Sequence, residues 1–219
     1  MDWRTPRPVL DLVRAVRPIL IDPASTSQNP TGALLFGARD APIGARLCGG
    51  TCIGDGLRAG WASLARALAQ PVGYAQEPGY LPGISGIGFV QPPYGAHLSG
   101  PVEPEHEIWR TDRKTGVRTL IGIGRGWAAK YAQESRAGLE SIALVPVRTD
   151  AEWWHTMADA STLGLFWRSP TLGARISFVN PDTGRPVQGS NLASTVFYSG
   201  PEPERFRGVF SPHGRIFVP

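Results

Sequence analysis

The apolar run Ile87-Gly88-Phe89-Val90 leaves a glycine-rich approach and stops at Gln91-Pro92-Pro93-Tyr94. Residues of these types at a strand end can do chemistry on a planar amine. Proline fixes φ and carries no backbone donor, so the Pro92 carbonyl can be aimed rigidly. The Gln91 amide adds a second acceptor and the Tyr94 ring a flat face. Two acceptors can hold both hydrogens of an exocyclic amine such as that of adenine, whose lone pair is otherwise delocalised into its ring. Each neutral hydrogen bond contributes about 0.5–1.5 kcal/mol net, and stacking of a base about 1–3 kcal/mol. Alignment of two reactants can be worth about 7–11 kcal/mol, so positioning decides such a reaction and no strong base is needed. A methyl donor with a sulfonium leaving group suits that chemistry. Taken alone, the tetrapeptide fits equally a turn that ends an edge strand.

A group of this kind works only if a sheet presents it. Ligands of open α/β sheets gather at the carboxyl ends of the strands, and the surrounding pattern predicts such a sheet. "TPRPVLDLVRAVRP" predicts a helix with Val9, Leu12, Val13 and Val16 on one face, opened by prolines. "ILID" (19–22) predicts a short buried strand, followed by the loop "PASTSQNPTG", and "WASLARALA" (61–69) an amphipathic helix. Residues 107–124 predict a hairpin about Asp-Arg-Lys-Thr-Gly, and 126–138 a helix ending on Gly138, the usual left-handed residue past a helix end. "SIALVPV" (141–147) predicts a central strand, Asp150 an N-cap, and "AEWWHTMADA" a helix packed through Trp153, Trp154 and Met157. "LGLFW", "ARISFV" and "STVFYSG" predict three closing strands. The fold class expected is α/β, a mixed sheet with an antiparallel C-terminal hairpin.

With 219 residues, 42% of them apolar, and seven tryptophans, the chain fits one large domain. Lys114 and Lys130 are the only lysines, so arginine carries a basic balance of +4. Arginine-rich balance suits a polyanionic partner, and equally a coding bias that replaces Lys with Arg. No run reaches the length of a membrane span, and "MDWRTPRPVLDL" lacks the apolar core of a signal peptide; a soluble cytoplasmic protein is expected. Cys48 and Cys52 are spaced one residue wider than a redox pair, and free loop thiols are expected.

Five stretches occur in order: Asp2-Trp3-Arg4-Thr5-Pro6; Ile21-Asp22-Pro23-Ala24-Ser25 with Asn29; Gly54-Asp55-Gly56-Leu57 with Trp61; Gln91-Pro92-Pro93-Tyr94-Gly95; and Leu144-Val145-Pro146-Val147-Arg148-Thr149-Asp150. Together they resemble the phage-type (Dam-like) DNA adenine-N-6 methyltransferases. Residues 173–178 and 194–197 resemble that family's closing strands. The resemblance implies a Rossmann-like methyltransferase fold over residues 1–219, S-adenosylmethionine as cofactor, double-stranded DNA as partner, and a phage or prophage origin. It implies that Thr5, Asp22, Pro23 and Ala24 line the cofactor's methionine end and that Asp55 accepts from its adenine amine. Gln91, Pro92, Pro93 and Tyr94 become the catalytic loop acting on a flipped-out adenine. Where the family carries Asn or Asp, this chain has Gln91, whose amide lies one methylene farther out. No glycine-rich turn follows Asp22, and Asp40 is the candidate for the cofactor ribose. The runner-up is a DNA-binding protein that keeps the fold without catalysis.

A hairpin inserted within 98–125 carries Arg110, Arg113, Lys114 and Arg118, with Arg125 just beyond its strands. Its cations either contact DNA phosphates or form an ordinary solvated face. Glu103, Glu105, His106 and Glu107 form either a solvated strand edge or a metal site of a hydrolase. No metal is expected of the methyltransferase reading. Arg148 and Arg175 either hold phosphate or pair with carboxylates.

Overall fold

The structure, a computed structural model, describes residues 4–69, 86–93, 98–100, 102, 106–112, 114–124, 126–187 and 193–219. The elements are α1 (Arg7–Val16), β1 (Ile19–Asp22), β2 (Leu35–Phe36), β3 (Arg46–Leu47), β4 (Gly50–Cys52), α2 (Trp61–Ala69), β5 (Ile87–Val90), β6 (His106–Thr111) and β7 (Arg118–Gly124). They continue with α3 (Trp127–Arg136), β8 (Ser141–Pro146), α4 (Glu152–Asp159), β9 (Leu163–Trp167), β10 (Ser194–Ser199), α5 (Pro203–Phe210) and β11 (Gly214–Phe217). Nine strands form one mixed sheet in the order β3-β4-β2-β1-β5-β8-β10-β9-β11, and β6 with β7 makes a separate ribbon.

Parallel pairing joins β4, β2, β1, β5 and β8. β10 runs antiparallel to both β8 and β9, and the edge strands β3 and β11 oppose their neighbours. This is an α/β architecture compatible with a Rossmann-like fold. From β1 the chain first builds outward to β2 and β4, then returns to add β5 and β8 on the other side. The order therefore switches between β1 and β5, and a crevice opens at the carboxyl ends of those two strands.

Alternation along buried strands feeds two cores. Ile142 and Leu144 of β8 join α1 and α5 on one face, through Val9, Leu10, Val13, Phe206 and Phe210. Ala143 and Val145 join α2, α3 and α4 on the other, through Trp61, Trp127, Tyr131, Trp154 and Met157. Every residue of β8 and β10 is buried, as the unbroken apolar run of β8 requires of a strand covered on both faces. On α1 the buried set is Val9, Leu10, Val13 and Val16; Leu12 only packs against the core edge. Gly138 has φ 90° just past α3, as its position predicts. No helix among the described residues is long and apolar enough to cross a membrane.

Several expectations change. Residues 174–179 form no strand: Ile176 and Phe178 are buried while Arg175 and Ser177 face solvent, and only Val179 bridges, to Arg4 and Pro186. Alternation there reports one buried face, not a ladder partner. Asp150 does not cap α4, whose N-cap is Ala151; its carboxylate accepts from Arg148 Nε and Nη2 at 3.0 and 3.1 Å instead. A guanidinium two residues away outcompetes an uncharged backbone donor. The closing strands β9 and β10 pair, but a long segment separates them, and β11 and α5 complete that edge. The strands β2, β3 and β4 escape sequence patterning because two or three residues hold no period.

α2 is held by a charge from α3. Glu134 and Lys130 are buried at 4% and 5% exposure and pair at 2.6 Å. The second Glu134 oxygen accepts the Ala62 N–H at 2.8 Å, filling an orphan donor of the first turn of α2. The Lys130 ammonium also lies 5.5 Å from the Trp61 ring centre. Glu134→Ala strands a buried ammonium, and urea unfolding should show a loss of about 3–5 kcal/mol.

Candidate active site

The crevice predicted by the strand order is a cavity of about 790 Å³, within the usual range for ligand sites. Thr5, Asp22, Pro23 and Ala24 line it, and so do Asp55, Gln91, Pro92 and Pro93. Thr5 precedes α1, residues 22–24 end β1, Asp55 follows β4, and residues 91–93 follow β5. Segments separated by up to ninety residues thus converge because three parallel strands end side by side. Tyr94 lies outside the described residues.

Asp22 is the chemical centre of this arrangement. It is 4% exposed, and burial pushes its carboxyl up to about 6. Thr31 Oγ1 donates to it at 2.8 Å and the Ala24 N–H at 3.2 Å, and both bonds pull the other way. The Ser25 hydroxyl faces Asp22 as well but lies outside hydrogen-bond geometry and has no partner among the described residues. All of these partners are neutral. A buried carboxyl with a raised pKa in a cleft marks a functional position, and a cation bound beside it would favour its charged form.

The loop after β1 lacks glycine at its start, and two glycines elsewhere take over the close approach. A Cβ on Gly37 would lie 2.1 Å from the Pro23 carbonyl oxygen, and one on Gly56 would lie 1.9 Å from it. Gly37 N–H also donates to the Asp22 carbonyl at 2.8 Å. Trp61 Nε1 donates to the Gly56 carbonyl at 2.6 Å, tying the second glycine to the helix that Glu134 caps. Asn29 closes the loop by donating to the Ala33 carbonyl and accepting its N–H.

At the far end, Asp55 accepts from Arg39 Nε at 2.8 Å and from the Leu57 N–H at 3.1 Å. Asp40, four residues beyond β2, also lines the cavity. Its carboxylate accepts from Ser27 Oγ at 2.6 Å, and that hydroxyl holds it below the usual carboxylate range. Gly37, Gly56, Thr31, Arg39, Trp127 and Arg4 were not among the expected site residues, although Gly37 and Arg39 follow the apolar run 33–36 and Gly56 follows Cys52-Ile53. A glycine within three residues of such a run, Gly37 in "LLFGARD" and Gly56 in "CIGDG", is the signal that could have found the pair.

Other candidates fall elsewhere. The 98–125 insertion forms the β6–β7 ribbon, closed at its base by Gly126 N–H donating to Ser99 O at 3.0 Å. Its turn is held by Asp112, whose carboxylate accepts the Lys114 and Thr115 N–H groups. Lys114 and Arg118 are exposed, and Arg110 sits on β6 opposite Thr119. Arg113 and Arg125 lie outside the described residues, as do Glu103 and Glu105 of the acidic cluster. Among the described residues no group of acids, histidines and cysteines is arranged to hold a metal ion. Both cysteines are free, Cys48 exposed and Cys52 buried.

Comparison of the chain with protein-family models, with curated proteins and with solved structures returns no match.

Two measurements probe this geometry. Because Asp22 is easier to protonate folded than unfolded, its contribution is full below about pH 4 and is lost as pH rises through about 6. Asp22→Asn should therefore gain roughly 3 kcal/mol relative to wild type between pH 4 and pH 7, read as a change in slope rather than offset. Gly56→Ala should cost about 1–3 kcal/mol through overpacking against Pro23. Gly208→Ala, in a helix with open space around it, should stabilise by up to about 1 kcal/mol.

Proposed function

We propose that the protein is an S-adenosylmethionine-dependent DNA adenine-N-6 methyltransferase built on a Rossmann-like methyltransferase sheet. The observation that carries this reading is convergence: the described residues of four separate motifs line one cavity at the switch point of the sheet. The strand that ends in Gln91-Pro92-Pro93 pairs directly with the strand that ends in Asp22. A base at the first would therefore be adjacent to a cofactor at the second.

The cavity lining fits the cofactor. Thr5 Oγ1 is buried with no protein partner among the described residues and faces the cavity that Asp22 lines. A ligand with both polar and cationic groups would satisfy these two residues together. S-adenosylmethionine, when bound, supplies an electrophilic methyl group on a sulfonium. Thr5, Asp22, Pro23 and Ala24 would hold its methionine end, and Asp40 its ribose hydroxyls. Asp55 would accept from its adenine amine, since an ionised carboxylate can take further donors beyond Arg39 and Leu57. The Arg39 contact holds that carboxylate in place beforehand.

Gln91 and Pro92 would accept the two hydrogens of the target amine, orienting its lone pair toward the methyl group. Pro92 is buried and Gln91 half-buried, so the contact is shielded from competing water. Methylation releases one proton from the amine. Neither acceptor titrates, so the proton passes to solvent. DNA would reach the site with its adenine turned out of the stack, and the exposed Lys114 and Arg118 of the ribbon would contact its backbone.

The longer reach of Gln91 favours one second reading, a methyltransferase-like protein that binds DNA without modifying it. Expression in a methylation-free bacterium followed by sequencing of modified adenines separates the two. The enzyme reading expects a new methylated motif, and soluble protein with no modified adenine contradicts it. Calorimetry should show S-adenosylmethionine binding to wild type and to Gln91→Ala alike. That variant should lose about 100-fold or more in kcat, because a misplaced or missing acceptor acts only on the aligned amine.

A further inference from the structure

Between β9 and β10, residues 168–187 join no strand of the sheet yet are well anchored. Residues 168–187 leave β9 at the carboxyl edge of the parallel strands and return to line the cavity through Pro181. Ile176 and Phe178, each 1% exposed, fasten this strap to the core. Val179 exchanges hydrogen bonds with Arg4 at 2.9 Å in both directions, and the Val187 N–H donates to the Phe178 carbonyl at 2.7 Å. The result is a small ladder of Arg4, Val179 and Pro186 at the rim of the cavity. A turn from Asn180 to Arg185 closes it: the Asn180 N–H donates to the Arg185 carbonyl at 2.9 Å, and the Asn180 carboxamide accepts the Asp182 and Thr183 N–H groups.

The charges on this rim are unbalanced. Among the described residues seven arginines form ion pairs, including Arg17 with Glu140 and Glu202, Arg39 with Asp55, Arg148 with Asp150, and Arg207 with Glu204. Arg4, which lines the cavity, and Arg185, exposed on the turn that carries Pro181, have no ion-pair partner among the described residues. Asp182 is the single carboxylate in residues 168–187. Among the described residues the cations lining the cavity are Arg4 and Arg39, and Arg39 is already held by Asp55. A strap pinned by Ile176 and Phe178, with two guanidinium groups that lack ion-pair partners at the cavity beside it, suits the phosphates of a nucleic-acid backbone laid across the cavity mouth.

Resting on the reading of the cavity as a site for a nucleic-acid base, we infer that Arg4 and Arg185 form the phosphate-binding rim that seats the DNA backbone beside it. This places a backbone contact on the strap as well as on the β6–β7 ribbon, with the cavity opening at the strap. Phosphate contacts set register and orientation and carry no sequence information, so the rim positions a duplex without choosing its site.

The test is equilibrium binding of a fluorescent 20-base-pair duplex at several salt concentrations, without cofactor, alongside calorimetry with S-adenosylmethionine. In Arg4→Gln/Arg185→Gln the slope of log affinity against log salt should shrink by about 2, about 0.9 for each phosphate that is no longer neutralised. Each single variant should lose about one such step, which keeps the result readable if the double variant folds poorly. Arg46→Gln/Arg136→Gln removes two exposed arginines that also lack ion-pair partners among the described residues and should leave the slope unchanged. An unchanged slope in the rim variants, an equal drop in the control, or no duplex binding by wild type at low salt overturns the inference. A drop confined to the rim variants in a protein that binds no S-adenosylmethionine supports the rim while removing the methyltransferase reading.

Discussion

The site depends on one close approach, the Pro23 carbonyl held between Gly37 and Gly56. Three parallel strands, β1, β2 and β4, can end together only if their outgoing backbones nearly touch. Any side chain at either glycine would sit about 2 Å from the Pro23 oxygen, far inside van der Waals contact. The clamp also sets the position of the polar groups around it. Asp22 lies one residue before the clamp, Asp55 one residue before the second glycine, and Arg39 and Asp40 just beyond the first. The Glu134 cap of α2 and the Trp61 bond to Gly56 extend the same constraint into the helical layer.

The two ends of the sheet differ in how they settle charge. At the amino end Arg17 bridges Glu140 and Glu202, and Tyr198 donates to Glu140 at 2.8 Å. Burial, with the Glu140 carboxylate beside it, pushes the Tyr198 phenol above its ordinary range. Opposite charges there meet within the protein. At the carboxyl end Asp22 is buried against neutral donors, and Thr5 Oγ1 has no partner among the described residues. A buried carboxyl and a hydroxyl open to the same cavity give the carboxyl end its capacity to bind.

Much of this was legible in the chain. The long apolar or amphipathic runs, α1, α2, α3, β8 and β10, carry enough residues for a period to show. The motifs around Asp22, Asp55 and Gln91 stand out because prolines and glycines end strands there. The middle of the chain, from Ala33 to Cys52, did not read, since β2, β3 and β4 have three residues or fewer and depend on neighbours for their ladder bonds. Residues 174–179 misread for the opposite reason: a perfect alternation serves a strap with one buried face as well as a strand. Asp150 misread because a cap is a competition, and Arg148 was the stronger donor.

By itself, the sequence determined the α/β class, the two-faced burial of the central strands and the chemical types gathered at strand ends, because hydrophobic period and backbone-restricted residues act locally. Tertiary structure alone decided that those ends meet in one cavity, that Gly37 and Gly56 replace a glycine-rich turn, and that Arg4 and Arg185 share a rim. Each of these is a contact between segments far apart in the chain, and such contacts come from strand order and backbone clearance, which leave no period in the sequence.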